Sequence, residues 1–277
     1  MTPPVLTADD FGLSEAVNAG IERAHSEGVL SAASLMVAGD AAADAVRRAR
    51  AMPGLRVGLH LVVIEGRAVL PPAEIPALVD ERGWFSSDQL ALGIRFCLAW
   101  RQLAAEIRAQ FAAFAATGLV LDHADAHKHM HLHPVVGGLM LAIGREFGLR
   151  HVRVPAEPPE VLAACRTRLG LGARALHLWT RLLRHQVRRA GMTCNDAVFG
   201  LAWSGHFTEE RLRRLIPNLP DGLNELYFHP AAGRDATIAA LMADYEHEAE
   251  LAALLSPAVR AMLAARGAGA TRQGDRP

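Results

Sequence analysis

Four short apolar runs in this chain each end on an acid or a histidine. Val5-Leu6-Thr7-Ala8 runs into Asp9-Asp10, Val57-Gly58-Leu59 into His60, Leu119-Val120-Leu121 into Asp122-His123, and Leu223 to Phe228 into His229. Longer stretches of helical period lie between the runs, which predicts repeated strand–helix units around a parallel sheet. Ligands bind at the carboxyl edge of such a sheet, so residues remote in sequence can meet there. The length of 277 residues suits one large domain, a size that single α/β barrels reach, or two small ones.

Ser14 reads as the N-cap of a first helix that carries Val17, Ile21 and Ala24 on one face and stops at Gly28. Ala33 to Val37 reads as a strand, Asp40 to Ala51 as a helix, Val57 to Leu61 as a strand, and Ala99 to Ala116 as a helix leading to the strand Leu119 to His123. Pro134 opens a helix running to Phe147, followed by a strand at Val152-Arg153-Val154. A strand at Ala197 to Leu201, a helix at Thr208 to Ile216, the strand ending at His229 and a long helix from Ala236 to Leu255 complete the pattern. The excursion 65–98, with Pro71, Pro72, Pro76 and Gly83, has no clean period where it begins and reads as lid-like. Residues 1–266 are expected to form the single domain, and the polar, Gly-rich 267–277 a disordered tail.

The 29 basic and 29 acidic residues cancel, leaving no global field for nucleic acid. Cys97, Cys165 and Cys194 fit neither a disulfide framework nor a CxxC zinc site, and no stretch is long and apolar enough to span a bilayer. The expectation is a cytoplasmic protein, with contact at the inner face of the cytoplasmic membrane through one segment. That segment, 161–195, contains seven arginines and no acid. Arg181, Arg184 and Arg188 alternate there with Trp179 and leucines, as in a helix lying on anionic lipid or in a surface helix with a solvated basic face. Phe85, Leu90, Leu92, Ile94, Phe96, Leu98 and Trp100 form an apolar patch suited to covering an apolar substrate or to joining the core.

Five of the thirteen histidines fall between 123 and 133. In an extended segment Asp125, His127, His129, His131 and His133 would share one face, offering neutral imidazoles to a divalent ion. Asp9-Asp10 supplies two carboxylates at a strand end, one able to bind a cation while its neighbour accepts a proton from water. With His60 this gives an Asp-His-His set with open coordination positions, as catalysis requires. Such a set suits zinc and accepts magnesium, manganese or cobalt. His229 is placed to protonate a leaving amine or to serve as a structural imidazole, while Asp125 and Glu225 are candidates to orient neighbouring histidines.

Thr7-Ala8-Asp9-Asp10-Phe11-Gly12-Leu13-Ser14, Val57-Gly58-Leu59-His60-Leu61 and His123-Ala124-Asp125-Ala126-His127-Lys128-His129-Met130-His131 together resemble the three signatures of the YdjC-like carbohydrate deacetylases, with Glu225 to Pro230 similar to the family's late His-Pro element. Ser14 to Asn18, Glu65-Gly66-Arg67 and Val152 to Pro159 look most like the hopanoid-biosynthesis-associated members. The resemblance implies a distorted (β/α) barrel of the glycoside hydrolase/deacetylase type. It also implies one divalent metal ion on Asp10, His60 and His127, with Asp9 as base; His129 and His131, like Asp125 and Glu225, are candidates either to brace these side chains or to bind the substrate. The implied substrate is an N-acetylated amino sugar or glycolipid, N-acetylglucosamine on a hopanoid polyol. Two readings of other kinds stay open beside it: a metal-independent glycoside hydrolase using paired carboxylates, and a non-catalytic lipid-binding or scaffold protein.

Overall fold

The computed structural model describes residues 2–167 and 171–266, with backbone alone for 171–178. The predicted disordered tail, 267–277, lies outside the described residues. Six parallel strands, β1 (Val5–Phe11), β2 (Ala32–Leu35), β3 (Arg56–Leu61), β4 (Leu121–Ala126), β5 (Ala197–Phe199) and β6 (Asn224–Phe228), form one sheet in the order β4-β3-β2-β1-β6-β5. The gap between β4 and β5 is spanned by residues 150–156. Ala124 N–H donates to the His151 carbonyl, Val152 N–H to Thr193, and Val198 N–H to Ala156. The sheet thereby curls round as the expected distorted barrel.

Of residues 152–154, Val152 alone makes a bridge, an isolated one to Ala124, so the regular strand read from the sequence is not formed. Part of the reason is local: the Asn195 side chain, not a ladder partner, accepts from Val154 N–H and donates to its carbonyl.

Helices α1 (Glu15–Ser26), α2 (Ala42–Ala51), α3 (Gln89–Leu98), α4 (Trp100–Ala116), α5 (Pro134–Glu146), α6 (Pro159–Ala164), α7 (Leu171–Arg189), α8 (Glu209–Leu215), α9 (Ala236–Leu241), α10 (His247–Leu255) and α11 (Pro257–Ala265) surround the sheet. Ser14 caps α1 as its sequence predicts, its side chain accepting from Val17 N–H, and Val17, Ile21 and Ala24 are buried. The single long helix expected over Ala236–Leu255 is two. α9 ends at Leu241, and the non-helical stretch that follows carries Tyr245 over Gly205, where a Cβ would lie 2.2 Å from the tyrosine ring.

The two-residue period of the strands separates two environments. Leu6, Ala8, Ala33, Leu35, Leu59, Ala124, Leu226 and Phe228 belong to the main apolar core. The alternating Thr7, Asp9, Ser34, His60, His123, Asp125 and Glu225 are also buried. Most of them bond to one another across strands, as Ser34 does to both His123 and Asp125. Gly58 makes this packing possible, since a Cβ there would meet the His123 ring at 2.6 Å. Val5, Ala32 and Leu223 make a small separate apolar cluster at the strands' amino ends.

The excursion 65–98 contains α3, which its sequence did not announce, and α4 fastens it. Glu106 accepts from Val69 and Leu70 N–H, and Gln102 from Ala77 N–H. Gln110 binds both backbone groups of Val62.

Candidate active site

β1 does not end before Asp9 and Asp10 but continues through them. Asp10 has φ +62°, in the left-handed region, and the register of β1 against β2 shifts between Ala8 and Phe11. In a regular strand adjacent side chains point to opposite faces. The irregularity at Asp10 brings both carboxylates inward, each with its own partners.

Asp10 faces the histidines: its Oδ1 lies 3.3 Å from His60 Nε2 and 3.1 Å from His127 Nδ1. Its Oδ2 is buried with no hydrogen-bond partner. The three ligand atoms lie within 4.8 Å of one another, so Asp10, His60 and His127 could hold a metal ion. Bonds of about 2.0–2.1 Å in tetrahedral geometry set ligand atoms about 3.3 Å apart, close to the spacing found here. The His127 side chain is 13% exposed and opens the cluster to solvent.

Burial opposes charge on His60, but Asp125 and Asp10 outweigh it and lift its pKa to about 10. An imidazole held between two carboxylates calls for positive charge at that point. A cation beside Nε2 would satisfy the demand with His60 neutral, its Nδ1–H donated to Asp125 Oδ1 at 2.8 Å. A second grouping, Asp9, His60 and Asp125, is also compact enough for a metal. There, however, both acids are already bound by an arginine, whereas Asp10 keeps an oxygen to offer.

That arginine is Arg153, fully buried and absent from the sequence-derived site. Its Nη1 and Nη2 hold the two Asp9 oxygens at 2.7 and 2.8 Å, Nη1 reaches Asp125 at 2.6 Å, and Nε donates to Glu225 at 2.8 Å. The Tyr227 ring lies 4.9 Å from its guanidinium carbon. Arg153 and Asp10's histidines lower the two central acids: despite burial, Asp125 and Asp10 are both held well below the usual carboxylate range.

The histidine-rich segment does not present one face. His127–Leu132 is a tight helical turn in which Lys128 and His129 adopt φ +50° and +54°. The turn keeps His127 at the cluster and sends the other rings elsewhere. His129 Nε2 meets the Tyr227 hydroxyl at 3.0 Å, His131 Nε2 donates to the Arg153 carbonyl, and His133 packs on Phe96. Burial lowers the pKa of His129 well below its ordinary value and takes His131 down to about 4. His129 and His131 therefore support Tyr227 and the Arg153 backbone. Glu225 likewise orients Arg153 and not a histidine. Asp125 does orient His60.

His229 sits at the end of β6 between the Tyr227 and Tyr245 rings, at 5.7 and 5.0 Å. Burial lowers its pKa, opposed by Asp10 and Asp9, and its Nδ1 is buried without a hydrogen-bond partner, 3.9 Å from Glu250 Oε2. Buried Glu250 accepts from its backbone N–H. Outside this centre, Arg181, Arg184 and Arg188 line a cleft of about 440 Å³ with Pro158, Glu160 and Asp196. Arg184 donates to the Asp196 carbonyl, and Trp179 stands on the helix surface.

A family model described as YdjC-like protein matches residues 5–265. Two curated relatives align over 95% of this chain. They are a carbohydrate deacetylase of Geobacillus stearothermophilus, 32% identical over 93% of that protein, and a chitooligosaccharide deacetylase of Serratia marcescens, 30% identical over 94%. A carbohydrate deacetylase of Brevibacillus brevis is 39% identical, the match spanning 56% of this chain and 58% of that protein. Among solved structures, a putative cellobiose-phosphate cleavage protein of Enterococcus faecalis superposes with a TM-score of 0.77 over 98% of this chain and 97% of its own. At 23% identity, that likeness speaks for the fold alone.

Proposed function

The chain belongs to the YdjC-like protein family, and from that premise we propose that it is a metal-dependent hydrolase removing the acetyl group from an N-acetylglucosamine-type sugar. The observation that carries this reading is the convergence of Asp10, His60 and His127 beside a second carboxylate, Asp9, that a buried arginine holds apart from them. The names of the two relatives aligned over most of the chain support the same chemistry.

Asp10, His60 and His127 are the metal ligands in this proposal, and Asp125 fixes the His60 tautomer. A bound divalent ion, zinc or magnesium, with manganese or cobalt also acceptable to these donors, supplies Lewis-acid polarisation of the acetamide and acidifies water near neutral pH. Asp9 takes the proton of the attacking water. Arg153 uses one lone-pair direction on each Asp9 oxygen, and a carboxylate has about four such sites, so the base stays available while its orientation is fixed. The water oxygen bonds to the acetyl carbon, the C–N bond breaks, and His229, entering this step as imidazolium, gives a proton to the departing amine. Acetate and the free amino sugar result.

For the substrate we propose N-acetylglucosamine on a hopanoid polyol, which the Ser14–Asn18, Glu65–Arg67 and Val152–Pro159 segments support by their resemblance. Acetate release from a panel of N-acetylglucosaminyl compounds, water-soluble and hopanoid-linked, tests chemistry and substrate together. Turnover of the hopanoid-linked member above the soluble ones is expected. Equal or lower turnover would remove the hopanoid assignment, and no acetate from any member would remove the deacetylase reading.

A further inference from the structure

α3 buries Leu92 and Phe96 and turns Leu90, Ile94 and Leu98 outward, 78%, 58% and 80% exposed. The spacing i, i+4, i+8 makes these three one continuous stripe. Trp100 at the start of α4 is also exposed, with the Arg101 guanidinium over its ring. From Gln89 to Ala105 the only charges are Arg95 and Arg101. α7 repeats the combination: Trp179 and Leu182 are exposed, Arg181, Arg188 and Arg189 are exposed beside them, and no acid occurs from 161 to 195.

The two helices border one place. Gly93 and Phe96 of α3 lie against His133, and Leu183 of α7 lies against Gly137 near the His131 carbonyl. Both therefore lean on the turn and helix start that directly follow His127.

We propose that the outward faces of α3 and α7 form a docking surface for an anionic lipid bilayer, set beside the mouth of the Asp10-His60-His127 centre. Large apolar side chains would enter the acyl boundary while the arginines meet headgroup phosphates. Charge selects this occupant over a second copy of the chain. The charges within both apolar segments are arginines, so a symmetric pairing of these faces would set like charges against each other, whereas anionic lipid neutralises them. The surface concerns where a substrate is met, and its test does not use turnover, so it stands or falls apart from the proposed reaction.

The test is flotation of the full chain with phosphatidylcholine vesicles, with and without phosphatidylglycerol, at low and high salt. Binding is expected with phosphatidylglycerol and weakened by salt. Ile94→Glu with Leu98→Glu should lower it by about tenfold or more, and Arg181→Gln with Arg188→Gln should lower it and flatten the salt dependence. These side chains are exposed, so unchanged thermal midpoints are expected and would separate lost docking from lost folding. No flotation of the wild-type chain overturns the proposal. So does flotation indifferent to the α3 variant, or a dimer that this variant dissociates without any lipid binding.

Discussion

Arg153 grips both oxygens of Asp9, at 2.7 and 2.8 Å, across a separation of 144 residues. The same guanidinium reaches Asp125 and Glu225, so three buried carboxylates share one cation. Removing it strands them. Arg153→Met is expected to destabilise the protein by about 3–5 kcal/mol, the scale for breaking a buried ion pair. Arg153→Lys should recover part of that loss but not activity, because an ammonium lacks the planar fork that fixes Asp9. Urea denaturation with parallel acetate assays checks both, and a Met variant as stable as wild type would refute the account of Arg153.

Asp9 and Asp10 are neighbours with different environments, so their amide variants should fail differently. Asp9→Asn is expected to keep metal binding while turnover falls by at least about two orders of magnitude. Asp10→Asn should lose metal affinity first, because the Asp10 oxygens face His60 and His127. Metal content by mass spectrometry against kcat separates the two. An Asp9→Asn enzyme with normal turnover would remove Asp9 from the role of base.

His229→Gln is expected to lower kcat by about 10²–10⁴ with metal content unchanged, as loss of a general acid does. A substrate with a better leaving group needs less protonation and should lose less. Equal losses on both substrates would assign His229 a packing role between Tyr227 and Tyr245.

His151 gives a pH test away from the Asp10-His60-His127 cluster. Burial lowers its pKa from 6.5 to about 3, with its Nε2 buried and unpartnered and its Nδ1 on Thr193. Below 6.5 the unfolded chain takes up a proton that the folded chain refuses until about 3, so this residue's contribution to stability is lost as pH falls through that window. The slope is at most about 1.4 kcal/mol per pH unit. His151→Gln should flatten the dependence between pH 6.5 and 4 in denaturation curves, and an unchanged slope would count against it.

Much of this was legible in the sequence, because strand period and strand-end polarity are local signals. The Ser14 cap, the parallel strands and the meeting of Asp9, Asp10, His60 and His127 near one sheet edge all follow from them. The histidine stripe failed because a left-handed turn at Lys128 and His129 breaks the two-residue period, and no glycine announces it. Arg153 was missed because one charge in Val152-Arg153-Val154 reads as a solvent-facing strand residue. Its signal lay elsewhere, in Asp9, Asp125 and Glu225, three strand-borne acids that one interior cannot bury without a cation. α3 was hidden because its outward face is as apolar as its inward one, leaving little periodicity to read.

Acetate release from an N-acetylated amino sugar before and after exhaustive chelation tests metal-dependent deacetylation. Loss of acetate release on chelation, recovery on adding back zinc or magnesium, and no recovery in Asp10→Asn are expected. Hydrolysis that survives chelation undiminished would contradict metal dependence.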